Sequence, residues 1–130
     1  KPLPPISASR RFWPLSWSHD GRRLAGVAVE ADGQSTGLAT YSLADQRYTL
    51  FDEDRKGYFR CVRWLSDGER LLVRDPQGIS LFDTRSQKSK RLLSVGGYAS
   101  GKSVGASKDD RWITFTETAA EGDIWLANLE

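Results

Sequence analysis

The sequence predicts an all-β fold assembled from β-propeller blades, and three observations carry that prediction. A polar turn phrase is written three times: Ser18-His19-Asp20-Gly21-Arg22-Arg23-Leu24, Leu65-Ser66-Asp67-Gly68-Glu69-Arg70-Leu71 and Ser107-Lys108-Asp109-Asp110-Arg111-Trp112-Ile113. Its aspartates Asp20, Asp67 and Asp109 stand 47 and then 42 residues apart, within or close to the spacing of four-stranded propeller blades. Inside each unit the runs are short, β-branched or aromatic, and are broken by Gly, Asp or Asn about every eight to twelve residues. That punctuation excludes helical solenoids of the same period.

The first unit, residues 8–53, places strands near Phe12 to Trp17, Leu24 to Val29, Gly37 to Leu43 and Tyr48 to Phe51. The second, residues 54–95, repeats the order with Phe59 to Trp64, Arg70 to Arg74, Gly78 to Phe82 and Lys90 to Leu93, with Asp75-Pro76-Gln77-Gly78 as a strong turn signal. The third, residues 96–130, offers Lys102 to Ala106, Trp112 to Glu117 and Asp123 to Ala127, and so lacks its fourth strand. Equivalent positions agree in chemistry: Leu24, Leu71 and Ile113 follow the turn, and Leu38, Ile79 and Ile124 open the third strand. These are expected core positions. Trp17 and Trp64, which precede the turn, and Trp112 and Trp125, inside strands, are expected to pack between blades. The segment Lys1 to Ser7, with Pro2, Pro4 and Pro5, reads as an extended edge element.

Composition suits this class. The 130 residues are one ordinary domain's length, 38% hydrophobic and 28% charged, with five Trp, five Phe and four Tyr. The 19 basic and 17 acidic residues are interleaved and leave a net charge of +2, which is no footprint for nucleic acid or an anionic membrane surface. Cys61 is the single cysteine and His19 the single histidine, so neither an internal disulfide nor a Cys/His zinc site is available. Cys61 reads as a buried thiol. No apolar run approaches a membrane span. The chain opens at Lys1 without a methionine, as a piece of something longer would.

At this point the residues carry a resemblance. Asp20-Gly21-Arg22-Arg23-Leu24 and Asp67-Gly68-Glu69-Arg70-Leu71 resemble the repeat core of the WD-repeat-like propellers of bacterial TolB-type proteins. The ending from Trp112 to Phe115 and from Gly122 to Leu126 looks like the last blade of propellers attached to bacterial regulators such as serine/threonine kinases and winged-helix transcription factors. The resemblance implies a protein-binding propeller, bacterial, in an extracytoplasmic (periplasmic) rather than cytoplasmic setting. One departure is Asp110, which takes the place of the turn glycine and is tolerated there because Asp visits the left-handed region more readily than most residues. The other is the count. Propellers close with about four to eight blades, so three require either further blades or a second chain, and head-to-tail pairing of two copies into a six-bladed ring is one expected solution.

Several motifs invite functional readings. Gly96-Gly97-Tyr98-Ala99-Ser100-Gly101-Lys102-Ser103 matches the phosphate-cradling loop letter for letter. The repeated turn that begins at Ser107 leaves no room for the helix this chemistry requires. Gly101 to Gly105 also fits a hydrolase nucleophile elbow around Ser103, but no histidine follows it. Asp52-Glu53-Asp54 and Glu117, Glu121 and Asp123 offer hard oxygen ligands without calcium-loop spacing, and read as solvated loop charges. His19 reads as a loop hydrogen-bonder rather than a base.

The expected site is a channel mouth. If the first strands line the channel, the aligned positions near their starts, Trp13, Arg60 and Lys102, present one aromatic face and two cations to an anionic or extended peptide. The expected function is thus a non-enzymatic interaction or sensor module with a protein or peptide partner, no cofactor and no catalytic or metal-binding residues. A nucleotide-binding enzyme using Gly96 to Ser103 and a purely architectural assembly role are the alternatives.

Overall fold

In the computed structural model the described residues are 1–51, 59, 61–94, 103–117 and 123–129, and they contain no helix. The first sheet comprises β1 (Arg10–Trp17), β2 (Arg23–Glu30), β3 (Ser35–Ser42) and β4 (Arg47–Phe51). The second comprises β5 (Cys61–Trp64), β6 (Arg70–Asp75), β7 (Gly78–Asp83) and β8 (Ser89–Ser94), and the third β9 (Val104–Ala106), β10 (Trp112–Glu117) and β11 (Asp123–Asn128). Each strand pairs antiparallel with its successor in the same sheet, so every sheet is a meander. The chain is therefore a partial β-propeller of two four-stranded blades and one three-stranded blade.

Strand alternation decides which blade each side chain meets. From the second blade, Val62, Trp64, Leu71, Val73 and Phe82 pack with Ala25, Val27, Leu38 and Phe51 of the first. Phe51 meets Phe82 edge-on with ring centroids 5.4 Å apart. On the opposite face Leu72 and Ile79 pack with Val104, Ile113 and Phe115 of the third blade. The middle blade thus buries both faces, and its central strand runs Leu71-Leu72-Val73-Arg74 without an exposed position. Each fully buried aliphatic side chain in these seams contributes about 1.5–3 kcal/mol. Arg74 is only 2% exposed, and its guanidinium reaches across the seam to the carbonyls of Ser103 (3.2 Å) and Thr116 (2.9 Å).

The repeated turn builds the same device three times. Gly21, Gly68 and Asp110 all sit at positive φ, +71°, +67° and +57°, the conformation that explains both glycines and makes Asp a tolerable third choice. In the first blade the Ser18 hydroxyl and the Arg22 N–H donate to Asp20, and Arg23 N–H donates to the Ser18 oxygen. The third blade repeats this with Ser107, Asp109, Arg111 and Trp112. In the second, Leu65 replaces the serine and Asp67 instead accepts from the N–H groups of Glu69 and Arg70 and from the Arg70 guanidinium. Gly26 answers a different need: a Cβ there would lie 2.0 Å from the Trp13 carbonyl oxygen, where β1 bulges between Pro14 and Ser16.

Several expectations are corrected. Leu24, Leu71, Ile113, Leu38 and Ile79 are core, but Ile124 is 80% exposed. Of the four tryptophans expected between blades only Trp64 is buried; Trp17, Trp112 and Trp125 are exposed. The reason is position: Trp17, paired with Leu24, and Trp112, paired with Asn128, stand on the outer faces of the first and third blades, and Trp125 shares the face of Phe115 but lies on the edge strand β11. Residues 1–5 join no sheet. They lie against the first blade, where Tyr48 donates its hydroxyl to the Pro4 carbonyl (2.6 Å) and a shallow groove separates Leu3 from Tyr41 and Leu43. Cys61 is half-buried, with its thiol 3.8 Å from the Val104 carbonyl.

The turn carboxylates make the fold acid-sensitive. Hydrogen bonds from Ser18 and Arg22 hold Asp20 below the ordinary carboxylate range, those from Ser107 and Arg111 do so at Asp109, and backbone N–H groups of Ser86 and Arg85 at Asp83. At Asp67 burial pushes upward, and the Arg70 and Glu69 hydrogen bonds outweigh it. A depressed folded-state value stabilises the fold fully above the unfolded carboxylate value of about 3.9 and is lost as pH falls below it. Urea midpoints should therefore decline as pH drops from about 5 toward 2, and the Asp20→Asn, Asp83→Asn, Asp109→Asn variant should show a flatter decline. An equally steep decline would assign acid sensitivity to other groups.

Asp110 also ties two blades, accepting from the N–H (2.8 Å) and hydroxyl of Ser66. Asp110→Gly relaxes the backbone but deletes this link, whereas Asp110→Asn keeps an acceptor. In urea unfolding the glycine variant should be the less stable of the two by about 1 kcal/mol, the scale of a solvent-exposed hydrogen bond. A glycine variant at least as stable as the parent would show that the link contributes nothing.

Candidate functional site

The three first strands, β1, β5 and β9, lie side by side. Ser16 Oγ accepts from the Trp64 N–H (3.0 Å), and Cys61 faces Val104. All three run toward the repeated turns, and a groove of about 390 Å³ crosses their ends. The first blade supplies Trp17 and His19 to it, the second Arg63 and Ser66, and the third Lys108 and Asp110.

Local sequence explains these positions. Arg63 follows Val62 and precedes Trp64, both of which point into the seam, so alternation turns Arg63 outward, and it is exposed. Lys108 and His19 occupy the residue before the turn aspartate, and both are exposed. Below the groove the blades are locked together: the Arg23 guanidinium lies 4.7 Å from the Trp64 ring centroid and donates to the Gly68 carbonyl. Asp110 is held by Ser66. Among the described residues no carboxylate pairs with Arg63 or Lys108.

The residues expected at a channel mouth are placed only in part. Trp13 is exposed and sits in the middle of β1, which begins three residues earlier than the aligned position suggested. Arg60 and Lys102 lie outside the described residues, as do Asp52 to Asp54, Glu121 and the loop from Gly96 to Lys102. Ser103 leads directly into strand β9, and its hydroxyl meets Thr116 Oγ1 at 3.3 Å. His19 was expected to hydrogen-bond within its loop; it lines the groove and makes no hydrogen bond among the described residues. Sequence reasoning missed the groove because Arg63 and Lys108 are ordinary surface charges until the turns bring them to one end. Among the described residues no group of three His, Cys, Asp or Glu side chains could hold a metal ion.

No protein-family model matches the sequence, and no curated protein matches it. Solved structures do. A TolB-like protein from Agrobacterium tumefaciens superposes with a TM-score of 0.76 at 11% identity, over 95% of this chain and 48% of the other. A chain of a nidogen/laminin complex gives 0.74 at 10% identity, over 93% and 45%. Hydrazine synthase from Kuenenia stuttgartiensis gives 0.63 at 12% identity, over 88% and 33%. This chain therefore spans less than half the length of each of these three structures. At such identities the likeness is one of fold, and it shows three consecutive β-propeller blades of the kind present in the TolB-like protein.

Proposed function

We propose that this chain is a non-enzymatic protein-interaction module, the propeller portion of a larger bacterial regulatory or sensor protein. The observation that carries the proposal is the open face of the third blade. Leu38, Ile79 and Ile124 occupy one position of the repeat; the first two are 2% and 0% exposed, the third 80%. Leu126, 62% exposed, and Trp112 lie on the same face, opposite Thr114 and Asn128 in the register. A contiguous apolar sheet face on a soluble domain marks a contact surface. Its occupant in this proposal is a second copy of the chain, presenting the outer face of its first blade with Trp17, Pro14 and Leu43. Two copies supply the length of the propellers that one copy half covers.

One observation weighs against the phosphate-loop reading: Ser103 is followed directly by strand β9, where that chemistry needs a helix. Propeller folds also occur in enzymes, as the hydrazine synthase match illustrates, so the fold by itself does not decide. The bacterial, extracytoplasmic setting rests on the repeat's resemblance. Trp13, with Arg60 and Lys102, belongs to the proposal as a second, channel-facing contact. Among the described residues no helix is long and apolar enough to cross a membrane.

Sedimentation over a hundredfold concentration range tests the pairing. The expected result is a dimer that Ile124→Glu with Leu126→Glu converts to a folded monomer. A wild-type chain that is folded and monomeric throughout would dismiss the second copy as occupant.

A further inference from the structure

The groove at the turn ends has a chemistry that the pairing of blades does not use. Two cations unpaired among the described residues, Arg63 of the second blade and Lys108 of the third, stand beside His19 of the first, and the exposed indole of Trp17 borders them. We propose that this groove binds an extended acidic peptide segment, whose carboxylates meet Arg63 and Lys108 while its backbone or an apolar side chain lies on Trp17.

The argument for an extended segment is one of spacing. Neighbouring sheets pack about 10 Å apart, so cations on adjacent blades are separated by about three residues of extended chain. A strand with acidic side chains on alternate or third residues reaches both, and guanidinium and ammonium groups donate charge-assisted hydrogen bonds to its carboxylates. A nucleic-acid strand fits less well. The groove offers one exposed aromatic rather than a row of them, and Asp110 places a carboxylate within it.

The site is also held in shape before any ligand arrives. Trp64 N–H to Ser16 and Ser66 to Asp110 fix the first blade to the second and the second to the third at this end. Preorganisation of this kind removes part of the ordering cost of binding. The groove cations lie at the strand ends, away from the blade-three face that carries Ile124 and Leu126; Trp17 alone is shared with the first-blade face assigned to pairing, so the Arg63 and Lys108 variant tests the groove without touching that junction.

The test uses a capped peptide of alternating glutamate and glycine, titrated into the folded chain and followed by tryptophan fluorescence and calorimetry. Saturable, salt-sensitive binding is expected. Arg63→Glu with Lys108→Glu should weaken it by at least about tenfold, Trp17→Ala should weaken it and remove most of the fluorescence change, and Trp112→Ala should leave it intact. A lysine-glycine peptide should not bind. Failure of the wild type to bind, or full affinity in the charge-reversed variant, would overturn the proposal; so would tighter binding of inorganic phosphate or of a single-stranded oligonucleotide. Circular dichroism and sedimentation of each variant keep loss of folding, and failure of the pairing proposal, distinguishable from loss of the groove.

Discussion

Every sheet in this chain has two faces, and the structure depends on how many of them are covered. The middle blade has a sheet on either side, and its strands accordingly carry Leu71 and Val73 on one face and Leu72 on the other, all within the core. That near-continuous apolar run is what a strand buried on both faces requires. The first and third blades satisfy the condition on their inner faces only. The first covers part of its outer face with its own N-terminal residues, through Tyr48 and Pro4 and beside the stacked rings of Tyr41, Tyr48 and Phe12. The third has no such cover among the described residues, and Ile124 and Leu126 stand exposed there.

Polar links follow from the same arrangement. Sheets stacked face to face exchange no ladder hydrogen bonds, so registration between blades falls to side chains at the turn end and to Arg74 in the seam. Burying a guanidinium is costly unless its donors are met; here Nη1 donates to two carbonyls of the third blade. The groove is shaped by these links, because Ser16, Trp64, Ser66 and Asp110 both line it and join the blades.

How legible was this in the sequence? The turn phrase was fully legible, down to the left-handed Asp110, because a turn's conformation is decided by a few adjacent residues. The buried positions Leu24, Leu71 and Ile113 were legible because they recur at one place in the repeat. The fate of Ile124 was not, although its chemistry matches Leu38 and Ile79: burial depends on a neighbouring sheet that no local pattern encodes. Trp17 misled for the same reason, its equivalent Trp64 having a blade in front of it and Trp17 having none. Arg74 and Arg63 were illegible in a different way. Both are arginines in strands, and only the stagger of the sheets makes one a buried bridge and the other a groove cation.

The geometry also bears on how firmly copies of the chain could associate. Burial of Ile124 and Leu126 contributes about 1.5–3 kcal/mol each, so one junction built on them gains about 3–6 kcal/mol. Association costs about 4–15 kcal/mol in lost freedom and ordering. A single head-to-tail junction is thus marginal, while two formed in the same ring share one such cost, because the second closes within an already assembled pair. Open chains of copies and isolated junctions are disfavoured relative to the closed pair. Under the proposed pairing, the exposed face of the third blade is in this sense weak alone and gains its effect from ring closure.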